Sequence, residues 1–389
     1  MTRQLPSVVV AGAGVVGAAL AARLAGLGCR VSLVDAGHPG AGTSGTTFGW
    51  VNANAKLPRA YFDLNVAGME AHRRALDEGR APWLRATGHL EWAAGDAARA
   101  ALAARAERLG AWGYAVRQLS TREARELEPD LVLDGSAGDL TLYPDEGFAH
   151  PLVLLGHLLR ESGEHGATLR TDARVVGFDI EGDRVCAAVL ASGERLPADA
   201  VACCSGRWSG EVAALAGVAL PLAPAELGSP AVGLIGVTSP VPAALSRVVS
   251  APGLNLRPDG GGRLMLHAPD LDAGVSPETP PAPAAAEGAL LLERARAVLR
   301  RLDGARLESL RVGVRPLPAD GLSVAGWAPG VEGLYLLVTH SGITLAPVLG
   351  ELAAREIAAG ADEALLRPFR PGRFAVAAED QRAEDQRAG

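Results

Sequence analysis

The chain has 389 residues, 48% of them hydrophobic, and a formal net charge of −7; this balance suits globular cores and argues against nucleic acid or an anionic membrane as partner. That length exceeds what one hydrophobic core serves, so two domains are expected. No run approaches the roughly 18 uninterrupted apolar residues of a membrane span. The first strand begins too early to leave room for a signal peptide, and the four cysteines lack CxxC or histidine spacing for zinc or a disulfide framework. A cytoplasmic protein without a metal site is the expectation.

Residues 8–17 read VVVAGAGVVG, followed by an alanine-rich stretch and then VSLVD at 31–35. This is a strand, a glycine turn, a helix and a second strand ending in an acid, the unit that holds a dinucleotide. Gly12 permits the tight turn, Gly14 lets backbone approach a pyrophosphate, and Gly17 lets helix and strand pack closely. The helix start points unpaired N–H groups at the phosphates, and Asp35 stands where a ribose hydroxyl pair needs an acceptor. A polar loop rich in Gly, Ser and Thr (40–54) follows, then a helix near 60–79. Short strands at 88–93 and 114–119 flank a helix at 96–110, and Ser120 or Thr121 caps another helix with Glu123 in its first turn. Pro151 opens a helix to about 165. Strands at 175–180, 184–190 and 200–204 are expected to return to the first sheet. Residues 221–275 read as antiparallel strands with a hairpin at 255–267, followed by a Pro/Ala loop at 276–286, a helix to about 302 and a closing helix from about 344 to 359. The tail repeats AEDQR at 378–382 and 383–387 and is expected to be disordered.

The expected fold class is therefore α/β: a Rossmann-like nucleotide domain from 1–58, 148–210 and 320–370, interleaved with a mixed or antiparallel α+β substrate domain from 59–147 and 211–319, and a tail from 371 to 389. All but one of the 37 basic Lys and Arg residues are arginine. The exception, Lys56, lies close in sequence to the nucleotide unit; lysine is a compact point charge whose pKa moves on burial, a property arginine lacks. A surface lysine left by chance is the competing reading. No second GxGxxG follows a strand, so the electron donor is expected to be the substrate rather than a nicotinamide.

Two C-terminal motifs carry a family resemblance: GVRPLPADGLSVAG at 313–326 and GLYLLVTHSGITLAP at 333–347. With the N-terminal glycines, the Thr43-Ser44 loop, YPDEG at 143–147, His150-Pro151 and CSGRWS at 204–209, the sequence resembles the D-amino-acid oxidase superfamily of FAD proteins across nearly its whole length. That group includes glycine oxidases, sarcosine oxidases and D-amino-acid dehydrogenases. The resemblance implies FAD, held without a covalent bond, and oxidation of a small-molecule amine or amino acid, with oxygen or another electron acceptor completing the cycle. It assigns Thr43 and Ser44 to the FAD pyrophosphate and ribityl region, Val175 to the adenine through its backbone, and Gly206 to a close pass by the cofactor. It sets the N–H groups of Gly342, Ile343 and Thr344 at the flavin pyrimidine edge, where reduction places negative charge.

The same resemblance matches Arg315 to an arginine that pairs with the substrate carboxylate. Glycine oxidases place a second arginine at about the position of His340, which leaves His340 open to three readings: proton acceptor, substrate contact or packing residue. Lys56 is open to two, promoting reaction with oxygen or positioning the 48–54 loop. From the second domain, Arg257 and His267 on the hairpin are open to two readings, substrate-facing groups or solvated strand residues. Two alternatives share these residues, an NAD-dependent dehydrogenase and a redox-silent FAD-binding subunit that needs a partner. The oligomeric state is left open.

Overall fold

A computed structural model describes residues 5–133 and 138–374. Its first sheet has six strands in the order Val324–Trp327, Leu334–Val338, Ala200–Cys203, Ser7–Ala11, Arg30–Val34, Thr168–Arg170. All neighbours run parallel except the edge strand Val324–Trp327. Both faces are covered, which is why these strands read as continuous apolar runs. Val8 and Val10 face the helices Val15–Gly26 and Gly342–Ala359, with Leu20, Leu24, Leu345 and Leu349. Val9 and Ala11 face the opposite side, against Val185, Ala188 and Leu190.

Those last residues belong to a separate antiparallel sheet, Val175–Glu181, Arg184–Leu190 and Arg195–Pro197. Two of the three strands expected to rejoin the first sheet therefore lie across its face, and only Ala200–Cys203 pairs beside Ser7–Ala11. The apolar alternation of 184–190 marks a strand with one buried face, and this cannot say which sheet it joins.

The second large sheet has eight strands, ordered Leu307–Val314, Val232–Thr238, Arg263–His267, Leu254–Gly260, Val248–Ala251, His89–Glu91, Leu140–Tyr143, Arg117–Leu119. The expected hairpin is present, with Asn255 opposite His267. One face buries Leu90, Val249, Leu256, Leu264 and Leu266 with Leu291 and Ala295 of the helix Ala286–Val298. The other carries His89, Ser250, Asn255 and His267 toward the first sheet, and these four line one cavity. A small sheet of Trp50–Val51, Gly147–Ala149 and Leu84–Arg85 bridges the two layers. The Ser120–Glu123 capping box forms as expected.

A domain boundary at 58 does not follow the packing: Tyr61, Leu64 and Ala71 of the helix Arg59–Asp77 share a core with the closing helix. Glycine makes that contact possible, because a Cβ on Gly68 would lie 2.5 Å from the Thr344 carbonyl oxygen. The tail also starts later than expected, since Arg373 is tied to Asp320 at 2.6 Å; the AEDQR repeats lie outside the described residues. No helix among the described residues is long and apolar enough to cross a membrane.

The helices Val15–Gly26 and Gly342–Ala359 lie nearly in backbone contact, and a Cβ on Gly350 would fall 2.8 Å from the Ala19 carbonyl carbon. Gly350→Ala is expected to destabilise the protein by about 1–3 kcal/mol through overpacking, checked as a lowered midpoint in thermal unfolding.

Candidate active site

A cavity of about 1370 Å³ runs between the two large sheets. Gly12, Gly14, Asp35, Thr43, Ser44, Val175, Gly206, Gly342, Ile343 and Thr344 all line it, as do Lys56, Arg315, His340 and His267. Gly17 does not; it acts one layer back, where a Cβ would sit 1.9 Å from the Gly12 carbonyl oxygen. Gly12 adopts φ +112° and meets the Cys204 carbonyl so closely that no side chain fits. The turn is thus a bare backbone cradle, the shape a pyrophosphate requires.

Asp35 braces this cradle. One carboxylate oxygen accepts from Ala13 N–H at 2.7 Å and the other from Gly37 N–H at 2.9 Å, and each keeps a lone pair for a ribose hydroxyl. Ser44 Oγ accepts from Val15 N–H at 3.1 Å, capping the first helical turn. The Thr43 hydroxyl donates to the Val314 carbonyl, tying the loop to the strand that leads into Arg315.

Beside the start of the first helix, the closing helix begins with Gly342, Ile343 and Thr344, whose N–H groups have no partner within the helix. This end is bolted in place. His72 Nε2–H donates to the Ile343 carbonyl at 2.8 Å, while its Nδ1 accepts from Trp83 Nε1–H at 3.1 Å. Burial lowers the His72 pKa to about 4, despite its carbonyl partner, so the ring stays neutral. Thr344 Oγ1 donates to the Trp50 carbonyl at 3.0 Å and accepts from Asn52 N–H at 3.3 Å.

Lys56 Nζ donates to Ser341 Oγ at 3.0 Å, and Tyr61 OH donates to the same oxygen at 2.8 Å. Desolvation lowers the Lys56 pKa to about 8, with Glu146 opposing and Arg315 assisting. The side chain is half-buried by surface area because it faces the cavity. His340 Nε2 sits 3.1 Å from the Gly321 carbonyl and 3.1 Å from Tyr61 OH. A carbonyl only accepts, so Nε2 carries the proton. Desolvation, the Lys56 charge and Arg315 bring the His340 pKa down to about 4 against the pull of Gly321. His340 is therefore a neutral ring in a hydrogen-bonded cluster.

Arg315 Nη1 donates to the carbonyls of Pro230 at 3.1 Å and Val232 at 2.9 Å, and Nη2 donates to Asp272 at 3.1 Å. Arg257 is a correction. It does not line the cavity but is fully buried, clamped between the rings of Phe48 and Phe148 at 5.4 and 4.9 Å and donating to the Phe48 carbonyl. Burial brings its pKa down to about 10 despite Asp259; it holds the loop that carries Phe48 and Trp50.

The sequence reading assigned no role to Tyr61, His89, Asp272 or Glu146, although Glu146 lies in the YPDEG motif. Glu146 is 0% exposed; one oxygen accepts from Ala53 N–H, Asn54 N–H and Tyr114 OH at 3.1, 2.8 and 2.7 Å, and the other meets His89 Nδ1 at 3.0 Å. It anchors the segment that ends in Lys56. An acid inside the YPDEG turn was the signal available for it; Tyr61 and Asp272 had none.

The residues fit FAD. Two helix N-termini and a glycine cradle face one cavity, whose volume exceeds the roughly 300–1,000 Å³ of an ordinary small-ligand pocket and so suits a dinucleotide with a small substrate beside it. Comparison with known proteins agrees. The family model for FAD dependent oxidoreductases, DAO, matches residues 7–356. The glycine oxidase of Geobacillus kaustophilus is 28% identical over 360 residues, covering 89% of this chain and 91% of that one. The iminodiacetate oxidase of Chelativorans sp. BNC1 has 25% identity and a TM-score of 0.75, covering 94% of this chain and 98% of that one. L-proline dehydrogenase from P. horikoshii shares the fold, with TM-score 0.82 at 19% identity over 96% of this chain and 99% of its own. The chain belongs to the DAO family of FAD-dependent oxidoreductases.

Proposed function

We propose that this oxidoreductase oxidises the C–N bond of a small α-amino acid or N-substituted amino acid, with Arg315 binding the carboxylate and Lys56 taking the amine proton. The observation that carries this reading is the placement of Arg315 and Lys56 in one cavity with the starts of both helices. The printed names of the relatives, glycine oxidase and iminodiacetate oxidase, support a substrate that is both an amine and a carboxylate. FAD, when bound, accepts the hydride equivalent from the amine-bearing carbon, leaving an imine for water to hydrolyse.

The protein's contribution is placement and charge. The bonds of Arg315 to Pro230, Val232 and Asp272 leave Nε–H and one Nη2–H for a carboxylate. Gripping the carboxylate fixes the α-carbon relative to the cavity wall, and such orientation is a large part of the rate in a reaction of this kind. An amine gives up hydride readily only once its nitrogen has lost the extra proton. Lys56, with its pKa near 8, is poised to take that proton when it is itself neutral. Ser341 Oγ, which accepts from both Lys56 and Tyr61, holds the ammonium group in place. The N–H groups of Gly342, Ile343 and Thr344 supply donors where negative charge accumulates on reduction. A glycine-like substrate would meet a neutral ring at His340 rather than a second arginine at that position.

Anaerobic mixing of the purified yellow protein with glycine, sarcosine, proline and a panel of D- and N-methyl amino acids is expected to bleach the flavin absorbance with at least one of them. A flavin that dithionite reduces but none of these amino acids does would sink the reading; admitting air afterwards separates oxidase from dehydrogenase. Arg315→Met is expected to raise KM for the bleaching substrate about 100-fold, the scale of losing a charge-assisted bidentate contact, with the FAD spectrum unchanged.

The pH dependence gives a further expectation. A lysine that acts as a base works in its deprotonated form, so kcat/KM should rise as pH passes through about 8. Lys56→Met should abolish that limb, leave the titration of the substrate's own amine, and lower the rate at pH 8 by about 100-fold, the lower end for general-base catalysis.

A further inference from the structure

An unbroken row of hydrogen bonds crosses the strands on the cavity face of the eight-stranded sheet and ends at Asp272, in the turn after it. His89 Nε2 lies 2.9 Å from Ser250 Oγ, Ser250 Oγ 2.6 Å from Asn255 Oδ1, and Asn255 Nδ2 3.2 Å from His267 Nδ1. His267 Nε2 lies 3.1 Å from Asp272 Oδ2, the oxygen that Arg315 Nη2 also reaches at 3.1 Å. Strand register makes the row possible, because Ser250 stands opposite Asn255 and Asn255 opposite His267.

The bonds nearest Asp272 have a determined direction. An ionised carboxylate only accepts, so His267 Nε2 donates to Asp272. Asn255 then donates its amide N–H to the bare Nδ1 of His267 and turns its carbonyl to Ser250. Ser250 gives its proton to that carbonyl, which leaves its oxygen to accept from His89 Nε2; the other ring nitrogen of His89 faces both the Glu146 carboxylate and the Asn54 amide N–H. The donors of Ser250, Asn255 and His267 point toward Asp272, an alignment in which each bond strengthens the next. Asp272 Oδ1 is held as well, accepting from Leu234 N–H at 2.8 Å. Burial opposes its charge, but the donors from His267 and Leu234 together with Arg315 outweigh it and keep its carboxyl below the usual range. The amide of Asn255 cannot relay a proton without losing its resonance, so the row orients groups and does not conduct.

Asp272 stands behind the cavity lining, while Arg315 and His267 form part of it. Room for the guanidinium comes from Gly233, where a Cβ would lie 2.6 Å from Arg315 Nη2. We propose that Asp272, held by the His89–Ser250–Asn255–His267 row, is the positioning residue that presents the free edge of Arg315 to the substrate carboxylate. This rests on Arg315 being the carboxylate anchor. Two effects of Asp272 on carboxylate binding have opposite signs. As a charge it repels an incoming carboxylate; as a brace it spares Arg315 the loss of side-chain freedom on binding. The proposal requires the brace to win.

The test is titration of acetate against the oxidised holoprotein, followed by the perturbation of its flavin absorbance, with KM for the bleaching amino acid as a second readout. Asp272→Asn is expected to bind acetate about 10-fold more weakly, and Asn255→Leu, at the far side of His267, about 3-fold more weakly. Both should retain the FAD spectrum and full flavin content. In the Arg315→Met background the Asp272 substitution should add less than 2-fold, because it has no guanidinium left to position. Unchanged or tighter acetate binding by Asp272→Asn overturns the proposal while leaving Arg315 as anchor, and so does an additive loss in the double variant. Arg315→Met with undiminished acetate and substrate affinity would overturn the anchor itself, and the brace with it.

Discussion

Two helices must nearly touch for this site to exist. The helix Val15–Gly26 and the closing helix Gly342–Ala359 approach so closely that Gly350 has no space for a Cβ beside Ala19, and the alanines of the first helix keep the seam shallow. Held at this distance, both helices begin at the same cavity. Each carries roughly half a positive charge at its start, which suits one end to phosphates and the other to the charge of a reduced ring. The remaining polar groups braced around the cavity, Ser44 on the first turn of one helix and His72 on that of the other, serve to keep those ends where the packing puts them.

The charges around the substrate region are nearly balanced. Arg315 is shared with Asp272, and Lys56 lies within the field of Glu146. The two cations also act on one another, since Arg315 contributes to lowering the Lys56 pKa. In the proposed reaction, a carboxylate bound at Arg315 would relieve part of that repulsion and raise the Lys56 pKa, so that substrate binding and proton transfer would be coupled.

What was legible in the sequence was local. The glycine turn, its acid 18 residues on, the capping box at Ser120 and the helix start after His340 each declare themselves within a few residues, because backbone geometry imposes them. The rest depends on contacts between distant segments. Lys56 meets Ser341, and Thr43 meets Val314, across separations that no periodicity records. The strands of the second sheet alternate polar and apolar residues, and alternation alone cannot distinguish a face turned to water from one turned to a cavity. Thus nothing marked His89, Ser250 and Asn255 as cavity-facing, while Arg257, in the same alternation, lies buried between two aromatic rings.

The order of strands in the first sheet also governs when the protein can become active during synthesis. Ser7–Ala11 emerges first, but its neighbour Ala200–Cys203 follows about 190 residues later, and Leu334–Val338 and the closing helix come later still. The closing helix must therefore be made before the cofactor wall can close, and a chain that stops short of residue 342 cannot complete this cavity.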